Sequence, residues 1–486
     1  MKNREGLDQK KLTRQLQGVE RWFNAGSLNL AHKDQCGCLN YFTGVGKTFT
    51  AMLLIDEYFK RFPNTNVIIV VPNEHLVTQW KKELAEVFYK KEIEYIKVYS
   101  ADHIISNKLI IHARLLIVDE LDAFYSEKRK GILLKEYIVY VDILALTATY
   151  EDVQDRHIEF RTVVPIIDKI GEKEAIAKGY ISEFIEYNLA LSFSDEEQRL
   201  HDKYTKQIRE GLSKFGKGSL NLAMKCLSGG KTKDGTYHKS THFCYGWARY
   251  NNWTPDLNLE RKDHAIINSL WNPNLIFGYA LNLMKAIKNR KNLIYESGSK
   301  LNASVEILEK FALTKTIVFS QSTKFADRLY GIINQLNPDN AVIYHSKIAT
   351  IMLPSEKTGK LQKHGKVRLK KRAINRINSN LSNHLITSSA LDKGLDIPKL
   401  KLSITTSGTQ NPTQYQQRGG RVKRIDMASP ESVSIVVNLY IKNSKEIDWL
   451  RKRQSTSNNL IYWVNEIEQI SYKPQQSNNE IHIDNI

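Results

Sequence analysis

Short, uninterrupted apolar runs alternate with amphipathic segments between residues 10 and 185. The runs at 67–71 (VIIVV) and 115–118 (LLIV) each have the length of one buried strand, and polar residues follow both. Residues 75–84, after the first run, have the apolar spacing of a helix. Repetition of strand and helix is typical of a doubly wound parallel sheet, and it predicts an α/β domain over residues 1–185.

The pattern changes after residue 186. Residues 201–300 contain 17 Lys or Arg against 7 Asp or Glu, with 12 aromatic residues and a polar turn at 229–235. This composition favours a mainly helical, basic and aromatic-rich insertion over 186–305. The strand and helix pattern returns with TIVF at 316–319 and predicts a second parallel-sheet domain over 306–445. Residues 446–486 are predicted to form a C-terminal helix and a disordered tail.

Length and charge restrict the class of protein. A chain of 486 residues is too long for one ordinary core, so at least two packed domains are expected. The formal net charge of +19 favours a polyanionic partner, because each cation placed on a phosphate releases counterions. Nucleic acid is the leading candidate, and a basic but inert surface is the alternative.

Cysteines and apolar stretches indicate the compartment. Cys36, Cys38, Cys226 and Cys244 do not form the CxxC pairs of a zinc ribbon, and so long a chain does not need disulfides. No stretch approaches the roughly 18–20 apolar residues that span a bilayer. These features predict a soluble cytoplasmic protein that does not bind membranes.

A glycine-rich turn at 43–48 (TGVGKT) predicts a phosphate site. Its glycines let backbone N–H groups approach phosphate oxygens, Lys47 supplies positive charge, and the Thr48 hydroxyl can ligate Mg²⁺. A strand is expected before the turn and a helix after it, with the helix N-terminus facing the anion. Tyr41 departs from the usual pattern, which has a small residue at its position. The predicted ATP-binding residues of the turn are Thr43, Gly44, Val45, Gly46, Lys47 and Thr48.

Two adjacent acids follow the strand predicted at 115–118. In the run DELD at 119–122, Asp119 can hold Mg²⁺ through water, and Glu120 can orient and deprotonate an attacking water. A DExD run alone is also common on protein surfaces. The assignment therefore depends on the other motifs.

A basic run at 417–424 (QRGGRVKR) supplies the second half of the predicted site. A positioned arginine is worth about 10³–10⁵ in the rate of phosphoryl transfer in nucleotide hydrolases. If Lys47 and Arg421 belong to different lobes, closure of the lobes assembles the site and hydrolysis releases it.

These motifs occur in a familiar order. TGVGKT, DELD, TAT at 147–149 and QRGGRVKR resemble motifs I, II, III and VI of superfamily 2 helicases and translocases. Residues 71–80 resemble motif Ia, 319–321 motif IV, and 387–398 motif V. The resemblance covers about residues 15–425 and implies two RecA-like domains with ATP and Mg²⁺ as cofactors.

The resemblance also assigns roles to individual residues. It implies that Gln17 reads adenine, with an exposed helix residue as the alternative, and that Gly394 and Asp396 face the nucleotide. It makes Gln417 a contact to the nucleotide or the attacking water, and Arg421 and Arg424 arginine fingers. The residues implied to couple hydrolysis to domain movement are Thr147 and Thr149, and those implied to contact the nucleic-acid backbone are Pro72, Ser320 and Thr387.

Details of the motifs indicate the branch of the superfamily. Motif III is Thr-Ala-Thr rather than Ser-Ala-Thr, motif VI begins with Gln417 rather than histidine, and motif Ia lacks PTREL, so DEAD-box RNA helicases fit less well. Residues 72–80 and 179–182 (GYIS) resemble XPB-like and phage UvsW-like DNA helicases and the motor subunits of restriction enzymes. A phage source would place the protein in the host cytoplasm.

The predicted function is that of an ATP-dependent DNA helicase or translocase in replication, recombination or repair, acting by unwinding or branch migration. Single-stranded, duplex or branched DNA is the expected partner, with RNA less favoured. A monomer that works with replication or recombination proteins is expected. The alternatives are a restriction-type motor subunit, an RNA helicase, and a scaffold that binds nucleic acid without hydrolysis.

Two basic regions are candidates for substrate contact. In the insertion, Trp247 and Trp253 can stack on bases at roughly 1–3 kcal/mol per base, although internal packing is the alternative for most of its rings. The second region, 357–376, has Lys366, Arg368, Lys370, Lys371 and Arg372 close together, with solvated surface as the alternative.

Overall fold

The computed structural model describes most of the chain. The described residues are 8–28, 35–152, 154–182, 184–215, 219–227, 244, 273–354, 359, 361–388, 397, 399–408, 433–454 and 460–473. They fall into two compact units, one formed by Met1–Ala190 with Ser304–Ile486 and the other by Leu191–Ala303. Within the segment predicted as a C-terminal helix and tail, residues 455–459 and 474–486 lie outside the described residues.

The first sheet belongs to the amino-terminal part of the larger unit. Its strands are β1 (Cys36–Tyr41), β2 (Val67–Val71), β3 (Ile96–Ser100), β4 (Ile111–Asp119), β5 (Ile138–Thr147) and β6 (Ile166–Ile170). Their order is β3-β2-β4-β5-β1-β6, and all five pairings are parallel. The associated helices are α1 (Gln9–Leu28), α2 (Lys47–Arg61), α3 (Glu74–Val87), α4 (Lys90–Ile93), α5 (Ala101–Ser106) and α6 (Glu172–Ala177), with 3₁₀ turns at Leu121–Phe124, Lys130–Ile132 and Arg156–Phe160.

Local sequence explains these elements. All five residues of β2 are buried, as the continuous apolar run predicted for a strand covered on both faces. Asn73 then caps α3, because its side chain accepts a hydrogen bond from the Leu76 N–H at 3.1 Å. The strands predicted before the phosphate loop and before DELD are confirmed as β1 and β4.

The register of the sheet brings three motifs to one edge. Asn40 of β1 pairs with Thr147 of β5, and Leu146 of β5 pairs with Asp119 of β4. Neighbouring strands lie about 4.8 Å apart, so the phosphate loop, DELD and TAT leave adjacent strands at the same carboxyl edge. In open α/β sheets this is the edge at which ligands bind.

The second sheet has seven strands. They are β7 (Phe184–Leu191), β8 (Thr316–Ser320), β9 (Ala341–His345), β12 (His384–Ser388), β13 (Leu402–Thr405), β14 (Ser434–Ile441) and β15 (Leu460–Val464), in the order β15-β7-β14-β13-β8-β12-β9. A separate antiparallel pair consists of β10 (Ile351–Pro354) and β11 (Leu361–His364). The helices here are α11 (Thr323–Leu336), α12 (Lys366–Asn378) and α13 (Glu446–Gln454), with a 3₁₀ turn at Ile467–Gln469.

Two strands of this sheet were not predicted from the sequence. Strand β7 starts where a domain boundary was predicted, and β15 lies in the segment predicted as helix and tail. They pair with each other in parallel, with Leu460 opposite Ile185. Buried side-chain hydrogen bonds join β7 to β14 and α13, since Asn438 and Gln454 both donate to the Glu186 carboxylate at 2.6 and 2.7 Å. Such long-range pairing leaves no local periodic signal.

The smaller unit is helical in its described part. Its helices are α7 (Asp195–Ser213), α8 (Ser219–Leu227) and α9 (Pro273–Tyr295), and α10 (Gly298–Lys310) begins in it. Ile208, Cys226, Ile276 and Leu283 belong to its core. The predicted helical character is confirmed for these residues, whereas Trp247 and Trp253 lie outside the described residues.

In the described part of the chain, no helix has the length and apolar character to cross a bilayer.

Candidate active site

The phosphate loop leaves β1 and turns into α2. Gly44 and Gly46 have φ of 91° and 98°, in the left-handed region that a glycine adopts without strain. The turn is closed by Thr50, whose N–H and hydroxyl both donate to the Gly46 carbonyl at 2.9 and 3.1 Å. Lys47 is the first residue of α2, and its ammonium lies 3.4 Å from the Tyr41 carbonyl. Thr43, Val45 and Thr48 are the other residues of the loop, and Thr48 follows Lys47 in the first turn of α2.

Helix α1 supports the loop from one side. Lys11 donates to the Gly44 carbonyl at 2.8 Å, and the Gln15 amide donates to the Val45 carbonyl at 2.9 Å. A Cβ added at Gly46 would lie 2.5 Å from the Gln15 amide nitrogen, so any other residue there would displace the amide as well as strain the backbone at φ 98°.

Gln15, rather than Gln17, is therefore the glutamine that contacts the phosphate loop. Gln15 is buried, whereas Gln17 lies on the exposed side of α1, which was the alternative for that residue. Helical periodicity was the signal that separates them, since Gln15 shares a face with Lys11, Val19 and Trp22 at spacings of three and four residues. Gln17 lies on the opposite side.

The unusual Tyr41 belongs to a buried polar cluster beneath the loop. Its hydroxyl donates to the Asp168 carboxylate at 2.6 Å, and Arg14 pairs with the same carboxylate at 2.5 and 2.9 Å. Arg21 forms a further ion pair with Asp168. A Cβ at Gly18 would lie only 1.8 Å from the Tyr41 hydroxyl, so the glycine in α1 makes room for the ring. The tyrosine that replaces the usual small residue before the loop is thus accommodated by its neighbours.

The first two acids of DELD differ in environment. Asp119 is buried at the end of β4, where it accepts hydrogen bonds from the Trp80 indole at 2.9 Å and the Glu120 N–H at 3.0 Å. Burial, and then the neighbouring Glu120 charge, raise the pKa of Asp119 to about 6, against the opposing effects of the Trp80 hydrogen bond and the Lys47 charge. Glu120 has φ of 57°, an uncommon conformation for a non-glycine residue that clusters at functional sites.

TAT is linked to DELD. The Thr147 hydroxyl accepts from the Thr149 N–H at 3.0 Å, and it lies 3.0 Å from the Thr149 carbonyl and 3.5 Å from the Asp122 carboxylate. Thr147 is fully buried. A displacement of DELD would therefore change the contacts of Thr147, and a displacement of TAT would change those of Asp122.

The residues predicted to contact nucleic acid lie at strand ends and are buried. Ser320 closes a turn by accepting from the Ser322 N–H at 3.1 Å, and the Thr387 hydroxyl donates to the Tyr344 carbonyl at 2.8 Å. The carbonyl of Pro72 accepts from Arg129 at 3.2 Å. In this arrangement the Ser320 hydroxyl holds the turn after β8, and the Thr387 hydroxyl holds the backbone of β9. Gly394, Asp396, Gln417, Arg421 and Arg424 lie outside the described residues.

The described residues fit a magnesium nucleotide. The glycine conformations open the backbone to phosphate oxygens, and Lys47 provides the cation. Thr48 and Asp119 offer only oxygen donors, as Mg²⁺ prefers when it keeps several waters and binds substrate phosphates.

Two family models match separate parts of the chain. The family model described as "Type III restriction enzyme, res subunit" matches residues 9–152, and "Helicase conserved C-terminal domain" matches residues 299–426. The second range contains the motifs that lie outside the described residues.

Individual relatives agree with the family assignment. The chain is 22% identical over 452 residues to "DNA 3'-5' translocase XPB2" of Sulfurisphaera tokodaii, covering 89% of this chain and 84% of the relative. It is 32% identical over 139 residues to "Uncharacterized ATP-dependent helicase YqhH" of Bacillus subtilis, covering 26% and 24%. The structure of S. cerevisiae Dbp5 bound to RNA and ADP BeF3 matches with a TM-score of 0.53 and 12% identity, covering 95% of this chain and 94% of that one. At this level of identity, the similarity to the Dbp5 structure concerns the fold alone.

The two parallel sheets and the matched domains define an ATP-hydrolysing enzyme of the helicase class. Within that class, the chain belongs to superfamily 2, as a DExD/H helicase of the ResIII and XPB type.

Proposed function

We propose that this enzyme is a DNA translocase that uses Mg²⁺ and ATP to move along or remodel DNA in replication, recombination or repair. The observation that carries the proposal is the register that brings the phosphate loop, Asp119 with Glu120, and Thr147 to one sheet edge. DNA is favoured as the track because the XPB2 relative, named as a DNA translocase, aligns over most of both chains.

The residues act on the nucleotide in distinct ways. The loop backbone and Lys47 bind the phosphates, and Thr48 and Asp119 hold Mg²⁺, which neutralises charge that develops on the phosphate oxygens. Glu120 orients the attacking water and accepts its proton. Trp80 keeps the Asp119 carboxylate in place, since its indole donates to one of the two oxygens.

The second lobe contributes the remaining groups of this proposal. Gly394 and Asp396 face the nucleotide, Gln417 positions the nucleotide or water, and Arg421 and Arg424 stabilise the charge of the transition state. The link between Thr147 and Asp122 transmits the state of the nucleotide to motif III. Pro72, Ser320 and Thr387 contact the nucleic-acid backbone or hold the loops that do.

ATPase stimulation by different nucleic acids tests the function. Single-stranded, duplex, forked and four-way DNA, and RNA of matched sequence, are added to the wild-type enzyme at one salt concentration. We expect stimulation by DNA, at least several-fold above that by RNA. A preference for RNA would assign the enzyme to RNA remodelling and overturn the choice of track.

Two variants show whether the measured ATP hydrolysis belongs to this enzyme or to a contaminating ATPase. Lys47→Ala is expected to abolish hydrolysis, because it removes the ammonium group that binds the ATP phosphates. Glu120→Gln is expected to keep ATP binding while turnover stops. ATP-dependent displacement of a triplex strand from duplex DNA then distinguishes translocation from unwinding of a fork, and both variants serve as negative controls.

The description of the amino-terminal family model favours a second candidate, the motor of a restriction-type system. Such a motor works with a nuclease. ATP-dependent DNA cleavage by the enzyme together with proteins that co-purify with it would support this candidate, and its absence alongside translocation would favour the first.

A further inference from the structure

The hairpin β10–β11 stands apart from both parallel sheets. Five residues separate β10 from β9, and one residue, Gly365, separates α12 from β11. In its register Ile351 lies opposite His364, and Met352 opposite Lys363. Directly opposed residues share a face of an antiparallel pair, and alternate residues along a strand share it too. Met352, Leu361 and Lys363 therefore lie on one face, and the buried His364 on the other.

The first of these faces presents two apolar side chains to solvent beside Lys363. Met352 is 57% exposed and Leu361 65%. An isolated two-stranded ribbon is marginally stable in water, and exposed apolar side chains add nothing to its stability in the free protein. Neighbouring apolar side chains on an exposed element commonly mark a binding surface.

The sequence that contains the hairpin is strongly basic. Residues 347–376 contain ten Lys or Arg and one acidic residue, so these 30 residues carry nine of the chain's formal nineteen positive charges. Lys363, Lys366, Arg368 and Lys371 are all exposed. Helix α12 has no acidic residue in its first turn and no side-chain cap at Gly365. A helix N-terminus favours negative charge, but here its neighbours are cations. Burial and the nearby Lys366 lower the pKa of Lys370.

The hairpin leaves the second sheet at a defined edge. His345, the last residue of β9, pairs with Ser388 of β12, which pairs with Ser320 of β8. These are the carboxyl ends of three adjacent strands, where ligands of open α/β sheets bind. Ser320 and Thr387, predicted near the nucleic-acid backbone, lie at this same edge.

We propose that the hairpin and the start of α12 form a binding element for a nucleic-acid strand with unpaired bases. Lys363, Lys366 and Arg368 hold successive phosphates, and Met352 and Leu361 pack against base faces. The occupant is assigned as nucleic acid because the surface pairs apolar side chains with dense positive charge, which complements bases joined by phosphates. The proposal rests on the proposed function and adds the place where the strand is held.

Two hairpin variants test the two kinds of contact. Met352→Ser/Leu361→Ser removes the apolar pair, and Lys363→Gln/Lys366→Gln/Arg368→Gln removes three charges. Leu381→Ser is the apolar control, because Leu381 is 64% exposed and precedes β12 at the opposite edge of the sheet. Lys90→Gln/Lys91→Gln, on the exposed face of α4, is the charge control. All four replace exposed side chains, and thermal melting confirms their folding.

The readouts are affinity for single-stranded, forked and duplex DNA at several salt concentrations, DNA-stimulated ATPase, and basal ATPase. For the charge variant we expect affinity at least about tenfold weaker, and a slope of log affinity against log salt reduced by about 2, for three lost phosphate contacts on a single strand. The apolar variant should weaken binding to unpaired strands about tenfold or more while keeping the salt slope. Basal ATPase should remain within about twofold of wild type.

The outcomes distinguish this proposal from the function on which it rests. If wild type is stimulated by DNA while both hairpin variants match their controls, the surface serves another occupant, such as a protein, and the proposal is overturned. If no nucleic acid stimulates wild type, the proposed function itself fails. Weakened binding to duplex DNA with unchanged binding to single strands would contradict the assignment to unpaired bases.

Discussion

The Trp80 indole donates a hydrogen bond to the Asp119 carboxylate, with 2.9 Å between Nε1 and Oδ2. Both side chains are buried, and 39 residues separate them along the chain. Trp80 lies on α3 and is the last residue of the segment predicted as motif Ia, whereas Asp119 ends β4. A segment expected near nucleic acid therefore orients the acid expected to hold Mg²⁺. A displacement of α3 would alter the metal site.

Removing this hydrogen bond should impair use of the metal. Trp80→Phe keeps an aromatic ring and deletes the donor, and loss of a partner that orients a metal ligand commonly costs 10–100-fold in metal affinity or activity. We expect a tenfold or greater rise in the Mg²⁺ concentration needed for half-maximal ATPase. Trp22→Phe is the matched control, because the buried Trp22 indole donates to the Ile143 carbonyl instead. An equal Mg²⁺ requirement in the two variants would contradict this role for Trp80.

Gln15 and Gln17 offer a comparison on one helix. Gln15→Ala removes the amide that holds the Val45 carbonyl, so the phosphate loop loses a support. We expect a several-fold rise in the KM for ATP, together with a loss of about 1 kcal/mol in the free energy of unfolding. Gln17→Ala replaces an exposed side chain and should leave both quantities near those of wild type. A larger rise in the KM for ATP in Gln17→Ala than in Gln15→Ala would favour the adenine-reading role that the resemblance implies for Gln17.

Much of the fold was predictable because its signals are local. The apolar run at 67–71 and the glycines of the phosphate loop each identify an element from a few consecutive residues. The same local patterns predicted the strand that presents Asp119. Motif order then related elements that are distant in sequence.

The unpredicted features depend on contacts between distant residues. The Tyr41 hydroxyl and Asp168 are 127 residues apart, and β7 pairs with β15 across most of the chain. Buried polar residues such as Glu186 interrupt an apolar run and weaken the strand signal, although amides from β14 and α13 satisfy them in the fold. Only packing shows which polar residue finds a partner.

Gly18 and Tyr41 should be energetically coupled. Gly18→Ala would place a Cβ 1.8 Å from the Tyr41 hydroxyl, so the ring must move, and overpacking of this kind costs typically about 1–3 kcal/mol. In a Tyr41→Phe background the hydroxyl is gone and the nearest ring atom lies 3.1 Å away. The cost of Gly18→Ala should then fall by at least about 1 kcal/mol. Urea unfolding of the four proteins in the cycle measures this coupling, and additive effects would contradict it.

Asp168 should make stability depend on pH. Burial alone would raise its pKa, but the hydrogen bonds from Arg14 and Tyr41, with the charges of Arg14 and Arg21, hold the pKa below its ordinary value. Its contribution is therefore complete above the unfolded pKa of about 4 and is lost as pH falls through the lower folded value. The difference in unfolding free energy between wild type and Asp168→Asn should be largest near neutral pH and shrink below about pH 4. A constant difference from pH 7 to pH 3 would exclude this cause.

Thr147 should matter more for movement than for hydrolysis. Thr147→Val keeps the buried shape and deletes the hydroxyl that joins the Thr149 backbone to Asp122, leaving the Thr149 N–H without that acceptor. Because the phosphate loop and Glu120 are untouched, basal ATPase should stay within about threefold of wild type, while the rate of triplex displacement falls tenfold or more. Thr316→Val is the matched control, since the buried Thr316 hydroxyl also bonds a carbonyl two residues away, that of Thr314 at 2.8 Å. Parallel losses of ATPase and displacement in Thr147→Val would show that this hydroxyl serves hydrolysis itself, and the link between DELD and TAT would then be no coupling device.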